Sequence, residues 1–328
     1  MPLAFVVLAL GLASVLSAAI SLRAVLLFNN ANWFAAKAML VVLHASAALP
    51  GGYLYVETPR TTPAPLCELT VFDLGDGGAA HLRADGSDWL LDCGDEPHYE
   101  HIVLPSLRSR GVNRLDGLLL THGDVKHIGG ALSAIADFRP FLLADSTVRD
   151  RSRTRKHLHE SLEQQRLGKG LYARGDFIHL GRAATLRVLY PPAGLKRSVA
   201  ADMALVLQLQ AGGTRTLFMS DSGFTTERWL LANEPDLRSD IVIKGRHPAD
   251  ISGTSDFLAR VAPRVVICSA SGYGEPVEKL DAWESGIAAQ HIAVFRQDKT
   301  GAVQIAIRQD GFTVRAFVTP QTFSAHVP

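Results

Sequence analysis

Along the chain, apolar residues are arranged in two different ways. Residues 2–20 carry no charge, and the run is about as long as the ~20 residues that span a hydrocarbon core. No positively charged stretch precedes this run and no polar segment suited to cleavage follows it, so the pattern predicts a transmembrane helix rather than a signal peptide. Beyond Arg23 and Asn29-Asn30, a second apolar stretch over 33–49, interrupted by Lys37 and His44, is expected as a second span or an interfacial helix. If both cross, the positive-inside tendency places the turn bearing Arg23 in the cytoplasm and the bulk of the chain outside it.

Prolines and glycines over 50–65 break any helix, because proline lacks a donor and pushes the residue before it away from helical angles. Residues 51–64 therefore read as a linker. From 65 onward the period shortens: apolar runs at 66–74, 79–83, 89–92 and 115–121, punctuated by glycine, predict strands. Helical spacing appears at 101–110 and 130–138, and a strongly charged helix at 149–165. Further strands are expected at 186–190, 204–210, 216–219, 241–243, 265–269, 291–295 and 303–308, with helices at 225–232, 255–262 and 278–286. Strand runs followed by strand and helix alternation predict an α/β fold over 65–328, two sheets sandwiched between helical layers, preceded by a membrane segment over 1–50.

Composition changes this picture little. A formal net charge of +1 excludes a global field for nucleic acid, so any basic site must be local. The run ending at Lys156 is the one local candidate: Arg151, Arg153, Arg155 and Lys156 could follow a DNA backbone, although such a run is more often a solvated helix face. Cys67, Cys93 and Cys268 lack CxxC or Cys/His spacing and are expected to be buried small hydrophobes.

Chemistry concentrates at 118–130, where an apolar strand delivers a loop bearing His122, Asp124 and His127. Imidazole and carboxylate donors suit zinc or manganese. Two other predicted strands end at Ser220-Asp221-Ser222 and at Lys244-Gly245-Arg246-His247-Pro248, adding Asp221 and His247 as candidate ligands. The competing reading is a set of polar loop residues that hydrogen-bond one another without an ion. Asp73 and Asp92 are expected to brace turns by accepting backbone N–H bonds.

Taken in order, these motifs resemble the metallo-β-lactamase superfamily, and in particular the C-terminal domain of the ComEC family of DNA-uptake channel proteins. Residues 73–79 are similar to that family's DVGQGDA, 91–94 to (I/V)DGG, 121–130 to HxDxDHxGG, 217–221 to LLTGD and 244–255 to KVPHHGS(x)TS, while 30–50 resemble the end of its channel region. The resemblance implies an αββα sandwich at the cell (inner) membrane that hydrolyses a DNA strand, single or double, with divalent metal ions activating a water. It also implies Asp221 and His122 as the catalytic ligands. Several positions depart from the pattern: Lys126 replaces an aspartate ligand, Gly78 the aspartate of QGD, Arg246 part of the HHG region and Glu275 the histidine of YGHP. These departures imply one metal ion or none, with Lys126 standing in for a cation. Three functions stay open: a membrane-tethered, metal-dependent DNA phosphodiesterase; a catalytically degenerate DNA-binding or assembly module beside a separately encoded channel subunit; and a remnant of a longer channel protein.

Overall fold

The computed structural model describes residues 2–48, 54–57, 59, 63–148, 151–163, 167–195, 199–269 and 277–326. The chain divides into two compact units, Met1–Tyr55 and Val56–Pro328. The first holds helices α1 (Pro2–Ser17) and α2 (Leu22–Ala48), which pack as a hairpin in which the Ser14 hydroxyl donates to the Val25 carbonyl. Phe5, Leu8, Leu12, Phe34 and Val41 all expose most of their side chains.

Here the structure corrects the expected spans. No break occurs at Arg23 to Asn30; α2 runs through all of it, because an interior Arg or Asn costs well under ~1 kcal/mol against alanine and is flanked by strong helix formers. Among the described residues, the helix long and apolar enough to cross a membrane is therefore the second, Leu22–Ser46. With 16 residues, α1 extends about 24 Å, short of a ~30 Å hydrocarbon core.

In the second unit, the first sheet begins with β1 (Cys67–Val71), β2 (Ala80–Ala84), β3 (Ser87–Leu91), β4 (Gly117–Leu119), β5 (Leu142–Ser146) and β6 (Gly168–Tyr172). The second sheet comprises β7 (Phe177–Leu180), β8 (Ala184–Tyr190), β9 (Val206–Ala211), β10 (Thr214–Ser220), β11 (Ile241–Lys244), β12 (Val265–Cys268) and β13 (Ala293–Arg296). The chain then returns to the first with β14 (Val303–Arg308), β15 (Gly311–Ala316) and β16 (Thr322–His326). Strand orders are β16-β15-β14-β1-β2-β3-β4-β5-β6 and β13-β12-β11-β10-β9-β8-β7.

Both sheets change character at one strand. In the first, β1 to β3 pair antiparallel and β3 to β6 pair parallel; in the second, β7 to β10 are antiparallel and β10 to β13 parallel. The carboxyl ends of β3 and β10 are thus the switch points, where loops diverge and leave a crevice.

Three apolar clusters give the layers. Leu69, Leu82, Leu207, Ile241, Ile267 and Ile305 belong to the core between the sheets, to which both contribute. Leu90, Leu118 and Leu143 face the opposite way, onto Tyr99, Leu107, Phe138 and Leu158 of the first helical layer. Leu217, Val242 and Val266 do the same onto Leu230, Phe257 and Ile287 of the second. The central strands are buried on both faces, which is why they read as continuous apolar runs rather than alternating ones. The result is the expected αββα sandwich.

Candidate metal centre

Two residues at the switch points hold left-handed backbone angles that side chains other than glycine seldom adopt: Asp92 after β3 (φ 52°) and Ser220 at the end of β10 (φ 48°). These turns aim both side chains at the loop after β4. Asp92 is buried and accepts from the Thr121 backbone N–H at 2.7 Å and the Thr121 hydroxyl at 2.6 Å, and its Oδ2 lies 2.8 Å from His127 Nδ1. On the other side of the imidazole, His127 Nε2 lies 3.0 Å from Asp221 Oδ2. Burial alone would lower the His127 pKa, but the carboxylates of Asp221 and Asp92 outweigh it and hold that pKa well above the usual histidine range. Without a metal, His127 therefore donates from both nitrogens. Asp221 is held down at about 2, since pairing with His127 overcomes the burial that opposes it.

The hydroxyl of Thr121 settles the tautomer of His122. Its single proton goes to Asp92, so the bond at 3.0 Å to His122 Nδ1 must be donated by the imidazole. Burial, reinforced by repulsion from His127, pushes His122 down to about 4, so the ring is neutral at pH 7. Its Nε2 is then a lone pair, 3.8 Å from Asp221 Oδ2. The two rings are 4.1 Å apart at their centroids, inclined by 56°.

Three donors thus converge: His122 Nε2, His127 Nε2 and Asp221 Oδ2. Their measured separations from Asp221, 3.0 and 3.8 Å, bracket the edge of about 3.3 Å that a tetrahedral zinc with ~2.0 Å bonds requires. Two imidazoles and a carboxylate are a donor set that suits a divalent ion. Asp92, His122 and His127 also lie with one ligand atom each within 4.8 Å of one another, forming a candidate metal-binding group. The carboxylate of Asp92 is already engaged by Thr121 and by His127 Nδ1, so it holds the His127 ring from behind.

Of the other predicted ligands, Asp124 is not brought in. It is exposed and caps the short helix Val125–Ile128, accepting from the Lys126 N–H at 2.9 Å. His247 is buried in a neighbouring cluster, with Nε2 3.6 Å from Asp202 and Nδ1 3.2 Å from Asp250. Asp202 in turn accepts from the Gly223 N–H and the Thr226 hydroxyl. Asp73 braces its turn as expected, accepting from Gly75 N–H at 3.1 Å.

The departures have a local logic. A Cβ on Gly78 would lie 2.8 Å from His127 Cε1, so the imidazole fills the space an aspartate would need. Lys126 turns outward, half exposed, and its ammonium pairs with Asp76, which raises its pKa. Glu275 lies outside the described residues. Within the basic run, Arg155 is not an open contact: it is buried, 3.1 Å from Asp145. Arg151, Arg153 and Lys156 are exposed on a groove of ≈ 640 Å³ at the carboxyl ends of β5 and β6. Ser152, the N-cap residue of the helix Arg153–Ser161, donates to the Gly123 carbonyl and so ties the groove to the His122 loop.

Comparison with known proteins bears on the fold. The chain matches no family model. It is similar to competence protein ComA of Neisseria gonorrhoeae, 26% identical over 77% of this chain and 34% of that protein, and to ComE operon protein 3 of Bacillus subtilis, 25% identical over 72% of this chain and 32% of that protein. It spans about a third of the length of these curated relatives. Among solved structures it superposes on the metallo-β-lactamase fold protein YhfI of Bacillus subtilis with a TM-score of 0.50 at 12% identity, over 70% of this chain and 96% of that one. A mutant of the β-hydroxylase CmlA also gives 0.50, at 15% identity, over 75% of this chain and 55% of that one. The second unit has the metallo-β-lactamase fold.

Proposed function

We propose that this chain is a membrane-tethered phosphodiesterase that acts on DNA during its uptake, using one divalent ion held by His122, His127 and Asp221. The observation that carries this reading is the convergence of the two Nε2 atoms on Asp221 Oδ2, with the Nδ1 sides fixed by Thr121 and Asp92. Similarity to the competence proteins supports DNA as the substrate class and a membrane setting. When bound, the ion supplies Lewis acidity and charge neutralisation at a phosphoryl group. The chain's own residues do the rest. Asp92 and Thr121 orient the two rings, Ser220 closes the hydroxyl network at 2.9 Å from Thr121, and the exposed Arg151, Arg153 and Lys156 position a phosphate backbone beside the loop.

A second reading is favoured by one contact. The 3.0 Å pair of His127 and Asp221 is a self-satisfied ion pair that can replace a metal, which suits a DNA-binding or assembly module without catalysis. Elemental mass spectrometry of the full chain purified in detergent, followed by zinc and manganese titration, separates the two. The phosphodiesterase reading expects close to one equivalent of metal, metal-dependent cleavage of labelled DNA, and loss of both in Asp221→Ala. Protein that takes up no metal and cleaves nothing in manganese leaves the module reading.

A further inference from the structure

The apolar span within α2 carries a polar stripe on the side that α1 leaves open. Val25 and Asn32 touch α1: the Ser14 hydroxyl donates to the Val25 carbonyl, and a Cβ on Gly11 would lie 3.3 Å from Asn32 Nδ2. Phe28 and Ala35, at helical spacing on that same side, are likewise partly buried. Asn30, Lys37 and His44 recur every seven residues, and all three are exposed. At 3.6 residues per turn, seven residues fall within about 20° of two full turns, so the three share one stripe, on the side of the helix opposite the α1 contacts. Trp33 stands beside them, with its ring centroid 4.8 Å from the Lys37 ammonium. His44 Nδ1 donates to the Leu40 carbonyl at 2.7 Å, which leaves Nε2 as an acceptor.

Hydrocarbon makes such a stripe costly. Ionisable and amide side chains within a span are normally turned toward a neighbouring helix or a water-filled path and paired there. The hairpin cannot supply that pair. Residues 1–55 contain no aspartate or glutamate, and the first acid in the chain, Glu57, belongs to the second unit, where it pairs with Arg83 at 2.9 Å. A second copy of the hairpin would add another lysine and still no carboxylate. Trp33 attracts the ammonium through its ring face without neutralising it. Lys37 also stands nine residues inside the Ser46 end of the span, about 14 Å along the axis, which is farther than a four-carbon stem carries its charge.

We infer that the Asn30-Lys37-His44 face of α2 is a docking surface for a transmembrane helix of another membrane protein, one that carries a carboxylate at the level of Lys37. The surface rests on the membrane tether of the proposed function and is independent of the metal centre.

The test reconstitutes the labelled full chain in phosphatidylcholine vesicles with a labelled 25-residue leucine-alanine span that carries one central aspartate. The same peptide with leucine or lysine at that place is the comparison. Fluorescence energy transfer reads association, and co-flotation reads membrane residence. A polar contact between helices in lipid predicts that the aspartate peptide associates about fivefold or more tightly than the leucine peptide. Lys37→Leu should erase that preference, Lys37→Arg should keep it, and Lys37→Glu should transfer it to the lysine peptide. Equal association of all three peptides with a chain that co-floats overturns the docking surface alone. A chain that fails to co-float overturns the tether itself. Two further results would also sink the surface. Self-association abolished by Lys37→Leu would assign the face to a second copy. Modification of Lys37→Cys by a membrane-impermeant maleimide as fast as Asp310→Cys, on an exposed turn of the second unit, would show that the face lines water.

Discussion

Asp92 shows how one side chain can be read correctly and incompletely from sequence. Its position at a strand end marks it as a turn brace, and it does accept from Thr121. What spacing cannot reveal is that His127, 35 residues on, donates to the same carboxylate; only the parallel pairing of β3 with β4 brings them together. The two oxygens serve three donors, and an asparagine would turn an N–H toward one of them. Asp92→Asn should therefore leave the fold intact and lower zinc affinity by about 10- to 100-fold, the usual effect of losing a carboxylate behind a ligating histidine. A competition titration against a chromophoric chelator checks this, and wild-type affinity in the variant would show that Asp92 does not orient the ring. The cysteines follow their sequence reading: all three are free and buried, and burial pushes Cys67 up to about 12 and Cys268 to about 11. Gly78 was legible as a departure, but the reason for it, an imidazole occupying its missing side chain, is a contact across the fold.

The loop between β11 and the helix Ser255–Val261 carries Arg246 and His247, and a single buried acid organises its far end. Glu227 on the helix Phe224–Asn233 accepts from the N–H of Gly253 and, through its other oxygen, from the N–H and hydroxyl of Thr254 at 3.1 and 2.8 Å. Burial raises its pKa even so. Glu227→Ala leaves those donors unsatisfied and should cost about 1–3 kcal/mol, seen as a lower denaturation midpoint, with faster hydrogen exchange confined to 245–254. Uniform exchange changes over the whole domain would show that the acid serves general stability instead. Sequence reading located most strands of this unit because they are buried on both faces. It passed over β5, for which the apolar pair Leu142-Leu143 was too short a run to stand out, and over β6, β7, β15 and β16 for other reasons. Gly168, Lys169 and Gly170 make β6 a polar edge, β7 has only four residues, and β15 and β16 carry exposed polar side chains on the outer margin of the first sheet. In α2 the error ran the other way, since polar residues inside an otherwise good helix were read as a break.

Across the whole molecule, the αββα frame brings the four site residues from two sheets onto one crevice: Asp92, His122 and His127 come from the β3 and β4 ends, and Asp221 from the β10 end. The proposed function at a membrane depends on the other unit. The 25-residue span within α2 can cross a bilayer core of ~30 Å with room for tilt, and its apolar residues Leu26, Leu27, Phe34, Leu40 and Leu43 are exposed to whatever surrounds it. Leaving that much apolar surface in water is unfavourable at roughly 25 cal/mol per Å², so the full chain should partition into membranes and resist extraction by high salt and by alkaline carbonate. A chain beginning at Val56 lacks this surface while keeping all three apolar clusters of the second unit, and it should stay in the supernatant with native secondary structure. Fractionation of both forms, with circular dichroism on the shorter one, checks this directly. Recovery of the full chain in the soluble fraction would remove the tether, and with it the membrane part of the proposed function, while leaving the metal centre to be judged by its own titration.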